Sequence, residues 1–248
     1  MAAWFEDEEV WAATYPIIFP EERFEVAEEE VERILKLVGF RPAAVLDLAC
    51  GPGRHAVALA RRGIKVTAVD LTEFLLRKAR ERAQQAGVEV EFVREDMRRF
   101  VRPGAFDLAL SMFSSFGYFG DRREDLVVLQ NLRESLRPGG ACLIDVPGKE
   151  MLGRQAQSAR VVEQPDGVLC VEWSEILDDW TRIRTEWILI KDGQARTFRF
   201  QLSIYSGQEL KDLLLRAEFA DVTLFGDLDG SRYGPHADRL IACGRKVA

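Results

Sequence analysis

The chain has little with which to bind metal or cross-link itself. Its 248 residues hold four cysteines and two histidines. Cys50, Cys142, Cys170 and Cys243 stand singly with no C-x-x-C pair, which argues against a disulfide framework and against a structural zinc site. No apolar run approaches the roughly 20 residues of a membrane-spanning helix. The opening Met-Ala-Ala-Trp-Phe-Glu-Asp-Glu-Glu is acidic where a secretory signal is basic and then apolar, so a cytoplasmic protein is expected. Positive charge is also short: 34 Lys plus Arg against 41 Asp plus Glu give a net charge of -7. That sign disfavours binding by neutralisation of nucleic-acid phosphates or anionic lipid, and neither is expected as a partner.

What the chain does have is 47% apolar residues, enough for one well-buried α/β core with embellishments. Phe24, Ala27, Val31, Ile34, Leu35 and Val38 recur at helical spacing and predict a helix over 21–38, stopped by Gly39. Val45-Leu46-Asp47-Leu48 reads as a strand, followed by a glycine turn and a helix carrying Ala56, Leu59 and Ala60. The unit recurs: a strand at 66–69, Thr72 as N-cap, and a helix with Leu75, Leu76, Ala79 and Ala83 before Gly87. Strands at 88–93 and 106–111 follow, then a helix opened by the Asp121-x-x-Glu124 box and broken at Arg137-Pro138-Gly139-Gly140, then a strand at 141–146. Alternating strands and helices imply a parallel sheet with its ligand at the strand C-termini.

The period changes over 161–205. Three strand-like runs, 168–177, 181–190 and 196–205, are separated by Asp178-Asp179 and Asp192-Gly193 turns and read as an antiparallel meander inserted into the sheet. A helix from the Ser206-x-x-Glu209 box and strands at 221–225 and 239–243 complete the chain. The expected organisation is an N-terminal helical lid at 1–39, an α/β core at 40–150, an inserted antiparallel cap at 151–205, and the rest of the core at 206–248.

Asp47, Gly51 and Gly53 sit where a first strand turns into its helix, and the glycines let backbone approach a ligand closely. Asp70 closes the next strand about 20 residues on, where a carboxylate can accept from ribose hydroxyls. An adenosine-type cofactor follows. Gly51-x-Gly53-x-x-Ala56 also satisfies the looser dinucleotide fingerprint, so NAD competes at this point. Asp96-Met97, after the third strand, suits an adenine amino group and its ring. Ser111-Met112-Phe113-Ser114-Ser115-Phe116-Gly117-Tyr118 ends the fourth strand, beneath a reacting centre.

This ordered set resembles the class I S-adenosylmethionine (SAM)-dependent methyltransferases. Glu95-Asp96-Met97-Arg98 and the 111–118 run look like the branch containing aminosugar N,N-dimethyltransferases. The resemblance implies a Rossmann-like sheet with an inserted meander and a helical lid. It assigns the methionine end of SAM to Asp47, Ala49, Cys50, Gly51 and Gly53, the ribose to Asp70 and Leu71, and the adenine to Asp96 and Met97, with Met112 beside them. Ala49 departs from the glycine of many members and narrows the turn. Tyr15, Phe19 and Arg23 fall where such enzymes fold a lid. Arg23 suits the cofactor carboxylate or a salt bridge with a neighbouring Glu.

Methyl transfer needs alignment more than acid–base chemistry, and no histidine stands out as a base: His55 reads as a helix-first-turn residue and His236 as a loop residue. Together with the resemblance this implies a small amine acceptor, oriented by Tyr118 and Asp145 and lined by Phe19 and Phe116. Trp173, Trp180 and Trp187 read as sheet packing, with one face of the meander capping the site. No metal is expected. A NAD-dependent oxidoreductase and an inactive SAM-binding regulator are the rival readings, and the chain is expected to be a monomer or a homodimer.

Overall fold

A computed structural model describes residues 3–154, 159–164 and 167–247. At its centre lies β1 (Ala44–Leu48), buried along its whole length, as expected of a strand covered on both faces. β2 (Lys65–Asp70) and β4 (Phe106–Ser111) flank it in parallel, β3 (Glu91–Arg94) extends one side, and β5 (Leu136–Val146) the other. β11 (Leu240–Arg245) then runs antiparallel to β5 and pairs with β10 (Ala220–Phe225), so the seven strands lie in the order β10-β11-β5-β4-β1-β2-β3. Chain direction across the sheet reverses between β1 and β4, which opens a crevice at their C-terminal ends. Alternate residues of β1 feed separate cores: Leu46 and Leu48 on one face, Val45 on the other.

α4 (Arg54–Arg61), α5 (Glu73–Ala86), α6 (Arg122–Ser135) and α8 (Gly207–Arg216) follow their strands closely. The predicted helix over 21–38 is two, α2 (Glu21–Glu25) and α3 (Ala27–Val38), preceded by an unpredicted α1 (Glu8–Ile18). The break separates two sets of neighbours. Phe24 of α2 lies beneath the Arg82 guanidinium of α5, 3.3 Å from the ring centroid, whereas α3 buries Ala27, Val31, Ile34 and Val38 and packs on α4. β5 also begins five residues before the predicted strand, because Gly139, at a φ of +80°, donates to the Lys246 carbonyl at 2.8 Å and holds the Pro-Gly-Gly stretch along the strand beside it.

The meander is not part of this sheet. β6 (Arg160–Glu163), β7 (Leu169–Leu177), β8 (Arg182–Lys191) and β9 (Gln194–Ser203) form a separate four-stranded antiparallel sheet after the short α7 (Lys149–Arg154). Residues 155–158 and 165–166 of the expected cap lie outside the described residues. Among the described residues no helix is long and apolar enough to cross a membrane.

Candidate active site

A cavity of about 580 Å³ opens where β1, β2 and β4 end, walled by the N-terminal segment and by one face of the four-stranded sheet. It is built on the turn after β1. Ala49 adopts a left-handed φ of 58°, a conformation that costs a β-carbon-bearing residue about 1–2 kcal/mol. The Gly51 N–H donates to Asp70 Oδ2 at 2.9 Å, and Asp70 Oδ1 accepts from the Thr72 N–H (3.0 Å) and hydroxyl (2.9 Å). Thr72 holds the expected N-cap position, but its hydroxyl serves Asp70 and not the helix. Burial raises the Asp70 pKa despite these donors.

Asp47 is 2% exposed, and its Oδ2 is buried without a hydrogen-bond partner. Burial pushes it up to about 7, opposed by Arg54 and reinforced by Asp70. Two guanidinium nitrogens are orphaned in the same way, Nε of Arg23 and Nη2 of Arg54. Both arginines line the cavity and face the Phe113 ring, at 4.3 and 5.1 Å from its centroid. Glu30 gathers Arg54, His55 (3.0 Å) and Arg239 (3.2 Å). Burial alone would raise Glu30, but its cationic and imidazole partners hold it at about 2. His55 is buried, which lowers its pKa, and its Nε2 is taken by Glu30.

Of the residues expected here, Phe19, Arg23, Asp47, Ala49, Cys50, Gly51, Asp70, Leu71, Asp96, Met97, Met112 and Tyr118 line the cavity. Asp96 is fully engaged: Arg98 donates Nε to both oxygens at 3.0 Å, Nη2 to Oδ2 at 2.5 Å and its backbone N–H to Oδ1 at 2.8 Å. Burial raises Asp96, but Arg98 outweighs it and lowers the pKa. Burial also raises the Tyr118 phenol, which keeps it protonated.

Four expected residues are not on this cavity. Gly53 starts α4 at a φ of +78°, and a β-carbon there would lie 2.9 Å from Cβ of Ala79; its role is helix packing. Tyr15 packs on Phe19 and Phe74, with ring centroids 5.6 and 5.7 Å away. Phe116, 2% exposed, is core packing against Tyr205 at 5.8 Å. Asp145 accepts from the Phe113 N–H at 3.0 Å and is paired with Arg239. It borders a second, smaller cavity and holds the turn after β4, where Phe113 and Ser114 have φ of 58° and 63°.

The sequence reading missed Glu30, Arg54, Arg239 and the N-terminal Trp4, Phe5 and Trp11, of which Arg54 and the three aromatics line the cavity. Glu30 was detectable: it lies three residues after Ala27 and four before Ile34, beside the buried stripe of α3. Trp187 lines the cavity, whereas Trp173 and Trp180 are exposed.

The methyltransferase domain family matches residues 45–140. YqeM, a putative methyltransferase of Bacillus subtilis, is 31% identical across 82% of this chain and 83% of its own length. The chain belongs to the SAM-dependent methyltransferases. SAM is accordingly the cofactor, which sets aside NAD. This methyltransferase matches the solved structure of SAM-bound CalS10, an amino pentose methyltransferase of Micromonospora echinaspora, with a TM-score of 0.71 at 20% identity over 96% of this chain and 97% of that one; the likeness establishes the fold. A dTDP-3-amino-3,4,6-trideoxy-alpha-D-glucopyranose N,N-dimethyltransferase of Streptomyces venezuelae is 31% identical over 42% of each chain. The chain spans about half the length of several other curated relatives it matches.

The donors present fit the cofactor. Its methionine end carries an ammonium and a carboxylate, and the cavity offers one orphaned carboxylate oxygen and two orphaned guanidinium nitrogens.

Proposed function

We propose that this methyltransferase methylates a small amine. The observation that carries the reading is the make-up of the cavity wall: orphaned charged groups at Asp47, Arg23 and Arg54, and an aromatic cluster that includes Trp4 and Tyr118. In this reading Asp47 Oδ2 accepts from the cofactor ammonium, and Arg23 and Arg54 donate to its carboxylate. Asp70 Oδ2, with one donor already, has a lone pair for a ribose hydroxyl. Met97 lies against the adenine. Asp96, occupied by Arg98, holds that loop instead of reading the base.

SAM supplies a methyl group on a positively charged sulfur. The chain's task is to align an acceptor lone pair with it and exclude water, an effect worth roughly 7–11 kcal/mol when the geometry is right. With SAM held there, an acceptor lone pair aligned by the chain would take the methyl group as the C–S bonding pair returned to sulfur, and the resulting ammonium would lose its proton to solvent. A neutral amine needs no strong base for this, whereas a hydroxyl does. His55 is occupied by Glu30, and Tyr118 is kept as a donor by burial. The CalS10 and Streptomyces venezuelae likenesses support an amino group on a sugar as the first acceptor class to try.

The test pairs calorimetric titration of S-adenosylhomocysteine with a screen of matched amines and alcohols, including aminosugars, followed by mass spectrometry of the products. Methylated amines are expected. Methylation of the alcohols alone overturns the amine assignment, and failure to bind S-adenosylhomocysteine overturns the assignment of the cavity.

A further inference from the structure

The aromatic part of the cavity wall is chemically specific. Trp4 packs against Tyr118 and Phe200, with centroids at 4.8 and 5.1 Å, and Phe200 against Trp187 at 5.4 Å. All four line the cavity. Among the described residues no arginine or lysine stacks on any of these rings. Elsewhere aromatic faces are covered: Trp173, on the opposite face of the four-stranded sheet from Trp187, lies beneath Arg184 at 5.9 Å. The cavity rings thus keep their electron-rich faces free of protein cations.

A carboxylate stands among them. Glu172 lines the cavity and lies directly opposite Trp187 in the β7–β8 ladder. Arg160, directly opposite on β6, lines the same cavity and is itself exposed, but among the described residues Glu172 forms no ion pair with it or with any other cation. The Trp187 indole N–H is also buried without a partner. Rings that no protein cation covers, an unpaired carboxylate and an unused donor together describe a ligand with a substituted ammonium and a nearby oxygen.

We propose that Trp4, Tyr118, Trp187 and Phe200, with Glu172 as counter-charge, form a binding site for an alkylated ammonium carrying a neighbouring hydroxyl or carbonyl oxygen: the site takes up the acceptor in its protonated form, which passes its proton to Glu172 or solvent before its lone pair reacts, and it holds the methylated product. The proposal deepens the amine assignment and rests on it. It makes Glu172 and Trp187 specificity-determining residues that bind by charge and ring face.

The test uses choline and its uncharged carbon isostere, 3,3-dimethylbutan-1-ol, as probes of the same shape. Each is titrated into the full chain, with and without saturating S-adenosylhomocysteine, following tryptophan fluorescence and heat. Choline is expected to bind in the millimolar range or tighter and the isostere roughly tenfold more weakly, the scale of a desolvated cation–π contact. Glu172→Gln and Trp187→Leu are each expected to weaken choline severalfold while leaving S-adenosylhomocysteine affinity unchanged. Equal binding of the isostere, no choline binding at millimolar concentration, or unaltered choline affinity in Glu172→Gln overturns the proposal. S-adenosylhomocysteine binding is read in the same titrations, so loss of the cofactor assignment is seen separately.

Discussion

Cofactor binding is expected to expel a proton from Asp47. The carboxyl is buried, one oxygen has no partner, and burial with Asp70 nearby places its pKa at about 7. At pH 6 it is then about nine-tenths protonated. The ammonium of S-adenosylhomocysteine brought against Oδ2 favours the ionised form and returns the pKa toward the ordinary range of about 4, so binding at pH 6 releases about 0.9 proton. Apparent affinity is correspondingly expected to tighten roughly tenfold per pH unit below pH 7 and to level off above it. Glu30 is held at about 2, and burial favours neutral His55; Asp70 is also raised by burial, and the Asp47→Asn variant separates its contribution from that of Asp47. Titrations at pH 6 in two buffers of widely different ionisation enthalpy count the proton directly. Asp47→Asn is expected to bind more weakly and release none. A native release near zero, or a release that persists in Asp47→Asn, refutes the argument.

Three further outcomes concern the frame of the site. Gly53→Ala puts a β-carbon 2.9 Å from Cβ of Ala79 at a left-handed φ, and urea denaturation is expected to show a loss of about 2–4 kcal/mol. Ala49→Gly removes a β-carbon from a φ of 58°; relief of strain less the entropy of glycine leaves a gain of about 0.5 kcal/mol by the same measurement, and a loss there shows that the turn is unstrained. Tyr205→Phe removes the donor to Asp125, whose other oxygen is already buried without a partner, at a cost of about 1–3 kcal/mol. Burial raises Asp125 from 3.8 to about 7, so the folded state keeps a proton that the unfolded chain has lost between those values and stability falls as pH rises through that window. The Tyr205→Phe penalty, read by thermal denaturation, is therefore expected to be larger at pH 8 than at pH 5.

Local signals were readable where one residue's job is set by its immediate neighbours. The Ser206 box forms in full: the Ser206 hydroxyl accepts from the Glu209 N–H at 3.2 Å, and Glu209 accepts from the Ser206 N–H at 2.8 Å. At Asp121 only half of the same pattern forms. Asp121 caps the Arg123 N–H at 2.9 Å, but Glu124 turns to Arg98 at 2.7 Å. A partner 26 residues away outcompetes the local one, and nothing within the box announces it. Phe116 and Asp145 were misplaced for a related reason: the chain leaves β4 through two left-handed residues, so strand alternation no longer tells which side chains face the cavity.

The same distinction explains why the turn after β1 was legible and the aromatic cluster was not. The turn after β1 must bring backbone N–H groups to Asp70 and pass within contact of α5, and those constraints demand particular residue types at particular spacings. The acceptor wall is made by side chains on three separate segments. Trp4 precedes α1, Tyr118 follows β4, and Trp187 and Phe200 sit on neighbouring strands of the second sheet. These positions lie far apart in the chain, so the sequence carries no local mark of their convergence. The proposed role rests on the combination left after folding: rings without protein cations and a carboxylate without an ion pair. A site of that kind can change its ligand by substitution at Glu172 or Trp187 without disturbing the glycine turn. In the proposed reading, cofactor binding rests on the backbone geometry of that turn and acceptor choice on side chains set apart from it.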